Sequence, residues 1–315
     1  MAEGGTLTFS DPQSYEAAFG DGRVNLTVTG AGDFKARLTW LKLRHLDVRR
    51  YYESLPRIAF ISLPTDRIFL SFPVGTASPI FGGFALRSGD MVFHSRGECV
   101  HQRTSGECQW CLISLPPEQL ASCGKALTGR SITSPPANRI LRPSRSEAAR
   151  FQGLLRQACH LAEAKAKLIA RPEIARALEQ EMLHAIVHFL AANEADDHPR
   201  ARHHRAAVVL RFEQTLSKRI DQKFRMPTIC AEIGVAERTL RMCCSEFLGV
   251  SPTRYALLQR LNKARAALRR ADPSKASVAQ VARNHQFLEL GRFAVTYRTT
   301  FGESPSTTLQ RNYEI

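Results

Sequence analysis

Residues 287–309 of the chain read FLELGRFAVTYRTTFGESPSTTL. Aromatic side chains recur every four positions, as on one face of a helix, at Phe293, Tyr297 and Phe301. Gly302 suits the left-handed backbone that ends a helix, and the Ser-Pro pair after it is typical of the start of the next one. The stretch therefore predicts a helix with one buried face, a sharp stop and a second helix.

This pattern occurs twice, with an offset of 53 residues. The corresponding positions are Leu240, Cys244, Leu248, Gly249, Ser251 and Pro252 in the first copy and Phe293, Tyr297, Phe301, Gly302, Ser304 and Pro305 in the second. A short helix is predicted before each copy, at 228–233 and 278–283, with Ala231 or Ala282 turned inward. Two helices joined by a turn, the second with one buried face, are typical of a helix-turn-helix, so two such units are predicted in tandem.

The two units are not equal copies. Nine positions separate the inward alanine from the first buried residue in the first unit, and eleven in the second, so their turns are predicted to differ. Between them, residues 253–271 are predicted to form one long basic helix that fixes the spacing of the units. Two such heads on one face of a DNA duplex would occupy successive major-groove segments about 34 Å apart.

Positive charge is concentrated in the same region. Residues 200–315 hold 21 Lys and Arg against 9 Asp and Glu, whereas residues 1–199 hold 23 against 20. A basic segment joined to a nearly neutral one is typical of a polyanion-binding module attached to a sensing domain. The first 21 residues lack a signal-peptide layout and no apolar run reaches membrane-spanning length, which indicates a cytoplasmic protein without a membrane partner.

The stretch at 287–309 resembles the second helix-turn-helix of AraC/XylS-type transcription regulators, with the XylS/BenR subgroup as the nearest likeness. The resemblance covers about residues 206–312. It implies a bacterial-type transcription activator that binds double-stranded DNA and contacts RNA polymerase. One departure is Gln286, which stands where the family usually has glycine, so the second turn is predicted to be strained or differently shaped.

The exposed early positions of the second helix of each unit are predicted to read DNA bases. The DNA-binding residues predicted in the first unit are Arg238, Thr239, Arg241, Met242 and Ser245. Those predicted in the second unit are Arg292, Val295, Thr296 and Thr299, with Arg298 on a phosphate. Arg292 resembles the family's base-contacting arginine and is predicted to pair with guanine, although a solvated surface role is the alternative for any single arginine. Two unlike heads predict an asymmetric half-site.

Four segments are predicted along the chain: a β-rich domain at 1–143, a helical hairpin at 144–192, a hydrated linker at 193–205 and the tandem helix-turn-helix domain at 206–315. Apolar runs at 57–63 and 67–72, ended by Pro64 and Pro73, predict short strands of a β-sandwich or small barrel. The hairpin is predicted to pack on the β domain and also to pair with a second subunit, which would give a homodimer.

The β-rich segment around residues 87–90 also resembles the cupin-like sensor of the same family. The fold class is therefore α+β and multidomain: a cupin-like β-barrel with a helical hairpin, then an all-α domain of two helix-turn-helix units joined by a long helix. The resemblance implies a small-molecule effector, and the XylS/BenR likeness points to an aromatic carboxylate. The candidate effector-binding residues are Trp40, His45, His94 and Trp110, each of which could equally be core or surface.

Two other functions were weighed. His94, Glu98 and His101 could serve a cupin-type metal-dependent enzyme, but the H-x-H pair of such cupins is absent. Cys108 and Cys111 form a C-x-x-C on a predicted strand, where residues three apart face opposite sides, so no zinc site is predicted. A non-specific architectural DNA-binding protein would fit the charge but not the sensor domain. The chain is thus predicted to need no cofactor or metal and not to be an enzyme.

Overall fold

The computed structural model describes residues 2–20, 22–75, 77–192, 200–219 and 224–311. The β-rich domain contains, in chain order, β1 (Glu3–Phe9), α1 (Pro12–Ala17), β2 (Arg23–Val28), β3 (Ala36–Lys42), β4 (Asp47–Glu53), β5 (Arg57–Ser62), β6 (Ile68–Val74), β7 (Ile80–Phe81), β8 (Phe84–Ala85), β9 (Met91–Phe93), β10 (Cys99–Arg103), β11 (Cys108–Leu115), α2 (Pro117–Thr128) and β12 (Arg139–Leu141). The helices that follow are α3 (Arg145–Ala164), α4 (Ala166–Ile169), α5 (Pro172–Ala192), α6 (Arg200–Lys218), α7 (Met226–Ile233), α8 (Glu237–Leu248), α9 (Pro252–Arg270), α10 (Val278–Asn284), α11 (Leu290–Phe301) and α12 (Pro305–Gln310).

Two antiparallel sheets form the β domain. Seven strands are ordered β1-β3-β4-β11-β6-β9-β12 and five are ordered β2-β5-β10-β7-β8. Leu38, Tyr51 and Leu112 of the larger sheet share one core with Leu26 and Val100 of the smaller sheet. The predicted fold class, a cupin-like β domain followed by an all-α domain, is confirmed. The two sheets face each other across this core and do not close into one hydrogen-bonded barrel.

The helical hairpin covers the outer face of the seven-stranded sheet. Phe151, Leu155 and Met182 of α3 and α5 share a second core with Leu70 and Ile113 of the sheet. Helix α3 begins where the sequence predicts it, because the side chain of Ser144 accepts the amide of Glu147 in a capping box. The hairpin therefore packs on its own β domain, as predicted. Cys108 lies in the core between the sheets and Cys111 in the second core, so these thiols do face opposite sides of β11.

The C-terminal helices cover the outer face of the five-stranded sheet. Helices α6 and α8 contact β10, and α9 contacts β2. Ile58 of β5 lies in a third core with Val208, Phe212, Leu240 and Phe247 of the C-terminal domain. The molecule thus has four layers: the hairpin, the larger sheet, the smaller sheet and the C-terminal helices.

Two sequence predictions about element boundaries are wrong. Residues 200–205 were predicted as linker, but they begin α6, where Arg205 forms an ion pair of 2.7 Å with Glu246; residues 193–199 of the predicted linker lie outside the described residues. An exposed helical face has the same polar composition as a loop, which explains the error. Strand β6 also runs through Pro73 to Val74. Strand β9 pairs with β6 only at Leu70 and Ser71, so no neighbour on that side needs an amide from Pro73.

A buried ion pair holds the polar groups of the inter-sheet core. The guanidinium of Arg57, fully buried, donates to Glu53 Oε2 through Nε at 2.7 Å and to Gln102 Oε1 through Nη2 at 2.7 Å. Glu53 Oε1 accepts from the Tyr15 hydroxyl at 2.8 Å and from Trp110 Nε1 at 3.3 Å. Because each oxygen has a partner, the charge is tolerated in the core.

We expect Glu53→Ala to lower the free energy of unfolding by about 3–5 kcal/mol, because Arg57 would remain as a buried, unpaired charge. Urea denaturation monitored by circular dichroism measures the change. The double variant Glu53→Leu with Arg57→Met is the control, since removal of both charges should recover most of the loss. Equal stabilities for the single and double variants would contradict this role.

Candidate nucleic-acid interface

The first helix-turn-helix consists of α7 and α8. Helix α7 ends at Gly234, whose φ of 69° gives the left-handed cap that turns the chain toward α8. Leu240, Cys243 and Phe247 of α8 are buried, as the sequence predicts. Ala231, predicted to face inward, is exposed; Ile229 and Ile233 fill that side of α7 instead.

The second unit consists of α10 and α11. Here Ala282 is fully buried, and α11 packs through Phe293, Tyr297 and Phe301. The turn between the two helices contains Gln286 at φ 62°, the one non-glycine residue with positive φ among those that the structure describes. The strain predicted from the missing glycine is therefore present, and it distinguishes this turn from the first.

The second helices of the two units, α8 and α11, are called the reading helices here, and both end in the same way. Gly249 and Gly302 adopt φ values of 72° and 78° after α8 and α11. Ser251 and Ser304 then cap α9 and α12, each accepting the amide three residues on. The 19-residue α9 joins the units as one continuous helix, which spans about 28 Å at 1.5 Å per residue.

The predicted reading residues lie on the exposed faces of α8 and α11. Arg238, Arg241, Met242 and Ser245 are exposed and Thr239 is half-buried on α8; Arg292, Val295, Arg298 and Thr299 are exposed and Thr296 is half-buried on α11. Met242 is 50% and Val295 is 68% exposed, so both apolar side chains are accessible for contact with thymine methyl groups. Arg241 Nε donates to Glu237 Oε1 at 2.8 Å, whereas no described side chain pairs with Arg292.

A basic groove lies between α6 and α7 on one side and the α10–α11 turn and α11 on the other. It has a volume of about 880 Å³ and its floor is formed by Ala256, Gln259 and other residues of α9. The cationic side chains along it are Arg219, Arg260, Lys263, Arg283 and Arg292. Arg260 stacks on the Phe287 ring at 4.5 Å and partial burial lowers its pKa. Sequence reasoning did not find this groove, because its walls come from both units.

Comparisons with known proteins agree with this geometry. Residues 229–311 match the family described as a helix-turn-helix domain. A probable thc operon regulatory protein of Rhodococcus erythropolis is 37% identical over 95 residues, which cover 30% of this chain and 29% of that protein. The XylDLEGF operon transcriptional activator 2 of Pseudomonas putida is 31% identical over 99 residues, which cover 31% of this chain and 63% of that protein. Residues 229–311 are therefore a helix-turn-helix domain, and the chain is similar in part to these two operon regulators.

The likeness to these two relatives covers about a third of the chain, and the chain spans less than two thirds of the length of each of the two. Among solved structures, the AraC-like transcriptional activator CuxR is 16% identical and covers 82% of this chain and 94% of its own, at a TM-score of 0.44. Similarity at that level does not establish a shared function.

The C-terminal domain is joined to the β domain by a buried carboxylate. Glu213 of α6 accepts from the Tyr255 hydroxyl at 2.7 Å and from Gln259 Nε2 at 2.8 Å, and its Oε2 lies 3.2 Å from His101 Nε2 of β10. Burial alone would raise the pKa of Glu213, but the bond and charge of His101, with the bonds of the other two, hold it below its ordinary value. The interface between the two domains therefore contains an ionised carboxylate, which His101 of the β domain helps to stabilise.

The β domain also contacts the ends of both reading helices. The Arg103 guanidinium lies against Gly249 at the end of α8, where an added Cβ would come within 2.8 Å of Nη1. The Gly32 amide donates to the Phe301 carbonyl at the end of α11, at 3.3 Å. Asn262 of α9 exchanges two hydrogen bonds with the backbone of Val28 on edge strand β2, at 3.0 and 3.1 Å.

A cavity of about 190 Å³ lies in this interface. The β domain lines it mainly with Phe81, Phe84, Val92, Val100 and Ile140, and the C-terminal domain lines it with Ala206, Leu210 and Phe247. Its polar edges are Glu98, His101 and Asn138. Among the described residues that line it, none is Lys or Arg.

The four candidate effector residues are not brought together. Trp110 stacks on Tyr51 with ring centroids 4.3 Å apart, inside the inter-sheet core. Trp40 lies half-buried on β3, and the His45 amide donates to Glu179 of the hairpin. His94 is buried, with Nε2 2.8 Å from Ser71 Oγ, and burial lowers its pKa to about 3.

The metal-enzyme alternative finds no support in the geometry. His94 is directed at Ser71, Glu98 Oε2 accepts from Ser95, and His101 lies against Glu213. Within the described residues, no group of three or more potential ligands converges on one point. In the same part of the chain, no helix has the length and hydropathy needed to span a bilayer.

We expect Gln286→Gly to raise the free energy of unfolding by about 1 kcal/mol, because glycine adopts the left-handed backbone without the steric penalty of a side chain. Gln280→Gly, on the exposed face of α10, should lower it by about 0.5–1 kcal/mol. Chemical denaturation of the two variants compares the same substitution at two backbone conformations. A loss of stability at position 286 equal to that at 280 would contradict the strain.

The buried carboxylate of Glu213, at the interface between the two domains, should make the free energy of unfolding depend on pH. Because the pKa of Glu213 is lowered in the folded protein, its contribution is present above the ordinary value of 4.5 and is lost as pH falls through the lower folded value. As the pH falls below about 4.5, the free energy of unfolding should therefore fall more steeply in the native protein than in Glu213→Gln. Glu232→Gln, at an exposed ion pair, is the control and should follow the native curve. Identical curves for native protein and Glu213→Gln would contradict this assignment.

Proposed function

We propose that this protein is a sequence-specific DNA-binding transcription regulator that reads two successive major-groove segments. The observation that carries the proposal is the pair of unlike reading helices at the two ends of the rigid α9, each with an exposed face of arginine and apolar side chains. Arg292 reads guanine, Met242 and Val295 contact thymine methyl groups, and Arg298 contacts phosphate. The likeness of the chain to the XylDLEGF operon transcriptional activator 2 supports this proposal.

The remaining partners follow from the same resemblance. The regulator acts as an activator, the role that the name of the XylDLEGF operon transcriptional activator 2 gives to that protein. It acts in the cytoplasm and contacts RNA polymerase. A homodimer formed through the hairpin would bring two asymmetric half-sites together, as direct repeats within each half.

The cavity between the two domains is the proposed effector site. A dry cavity of about 150 Å³ accommodates benzene, so the 190 Å³ here has room for a molecule with one aromatic ring. A carboxylate would find no cationic side chain in the lining, and Glu98 would repel it. We therefore propose a neutral aromatic effector with one polar group placed to meet His101 or Asn138, in preference to the aromatic carboxylate predicted from the resemblance.

Arg292→Ala should weaken binding to the specific site by about 1–3 kcal/mol and relax the preference at one base pair, because a bidentate guanine contact is lost. Arg298→Ala, in the last turn of the same helix, should weaken binding to specific and random DNA alike and reduce the salt dependence of binding. Fluorescence anisotropy at several salt concentrations, on a site obtained by selection from random DNA, measures both.

Equal losses on specific and random DNA for Arg292→Ala would contradict its role as a base reader. Failure of the selection to enrich any sequence would contradict the whole proposal and favour the architectural alternative, in which phosphate contacts supply all of the affinity.

The effector proposal is tested by thermal shift with matched pairs of ligands, such as benzamide and benzoate. The neutral member should raise the melting temperature of the native protein and the carboxylate should not. Ala137→Phe fills the cavity and should abolish the shift, whereas Ala126→Phe, on the exposed face of α2, should keep it. A benzoate shift that survives Ala137→Phe would contradict both the ligand class and the site.

A further inference from the structure

Two histidines stand side by side on the exposed face of α5. His184 and His188 are one helical turn apart, both are exposed, and their Nε2 atoms are 3.2 Å apart. The ring centroids are 4.3 Å apart. Neither residue contributes to the DNA interface or to the inter-domain cavity.

The backbone beneath the pair is rigid. Leu183 and Val187, next to the two histidines in sequence, are buried in the second core. One turn earlier on α5, the buried Glu179 accepts the amides of His45 and Leu46 from the β3–β4 turn. The two imidazoles are therefore carried on a helix tied to the sheet, and little backbone freedom is lost if they share a ligand.

The distance between the two nitrogens matches the span of adjacent ligands on a metal ion. Imidazole nitrogens bind Zn²⁺ at about 2.0–2.1 Å, and two such bonds at the tetrahedral angle place the nitrogens about 3.3–3.4 Å apart. The two Nε2 atoms lie 3.2 Å apart, at hydrogen-bonding distance and close to that span, so rotation of the rings would direct both at one ion without a change of the helix. We propose that His184 and His188 chelate one divalent transition-metal ion through their Nε2 atoms.

The ligand type defines the class of ion. Imidazole suits Zn²⁺, Ni²⁺ and Cu²⁺, whereas Mg²⁺ and Ca²⁺ prefer oxygen ligands. No third potential ligand joins the pair within the described residues, so water completes the coordination. An ion held across one turn also stabilises α5, since binding to the folded helix adds to the stability of the folded state.

Isothermal titration of the full chain with NiCl₂ and with ZnCl₂ tests the site. The double variant His184→Ala with His188→Ala should bind more weakly by at least about tenfold, the loss that already follows removal of an outer partner of a metal ligand. His160→Ala removes an exposed histidine from the other hairpin helix and should bind as the native protein does. The triple variant of His198, His203 and His204 to Ala controls for binding elsewhere and should also retain the site.

A second measurement separates chelation from folding. The ions should raise the melting temperature of the native protein and of His160→Ala but not that of the double variant, whose circular dichroism spectrum without metal should match the native one. Addition of MgCl₂ should leave all melting temperatures unchanged. Equal affinity in the native protein and the double variant, or loss of binding only in the triple variant, would overturn the proposal.

Discussion

The carboxylate of Glu213 is the interaction on which the arrangement of the two domains depends. It lies among apolar side chains of α6 and α9, yet it accepts hydrogen bonds within the C-terminal domain and faces His101 on β10 of the sheet. A buried charge left without its partners destabilises a protein by several kcal/mol, on the order of 3–5. A shift of α6 along the sheet would separate Glu213 from His101, so this contact favours the present register of the interface. The third core, in which Ile58 of the sheet packs on Phe212 and Phe247, adds apolar packing between the two domains. This packing stabilises the interface but does not by itself select one register.

This register has a consequence for the reading helices. Their exposed early positions carry the predicted DNA contacts, while their far ends rest on the β domain, through Arg103 at α8 and Gly32 at α11. Helix α9 joins the two units on one side, and Asn262 ties that helix to the edge of β2. The spacing of the two heads is thus set jointly by a helix and by the sheet. If either reading helix moved relative to the sheet, the distance between the two reading helices would change. Binding to DNA would then be weakened, because the two helices must fit successive major-groove segments of the duplex.

Features encoded within a few residues could be predicted from the sequence. The two glycine caps, the Ser-Pro starts and the buried aromatic face of α11 follow from local backbone and periodicity rules, and the structure confirms them. Gln286 shows the same principle, because a single departure from glycine predicted a strained turn. The opposite faces of Cys108 and Cys111 follow from strand alternation alone.

Features that depend on distant contacts could not be predicted. Trp110 was chosen as a pocket residue by its type, but its partner Glu53 lies 57 residues away and places it in the core. Ala231 is exposed because larger side chains of α7 take the inward positions. The start of α6 was assigned to a linker, since nothing in its polar residues reveals the sheet on which the helix rests. The inter-domain cavity was missed for the same reason, because its walls come from segments that only tertiary packing brings together.

The position of that cavity restricts how an effector could act. A ligand shifts an equilibrium between two arrangements only by the difference between its affinities for them. A molecule seated between Phe81 of the β domain and Phe247 of α8 contacts both walls only while the domains are joined. Such a molecule would therefore favour the arrangement in which the two domains are in contact, and with it the spacing of the two reading helices that this arrangement sets. By reciprocity, DNA that fits this spacing would raise the affinity for the ligand, and DNA that requires a different spacing would lower it. A ligand in this cavity and the operator would thus be coupled through the contact of α8 with the sheet, without a signal through the hairpin.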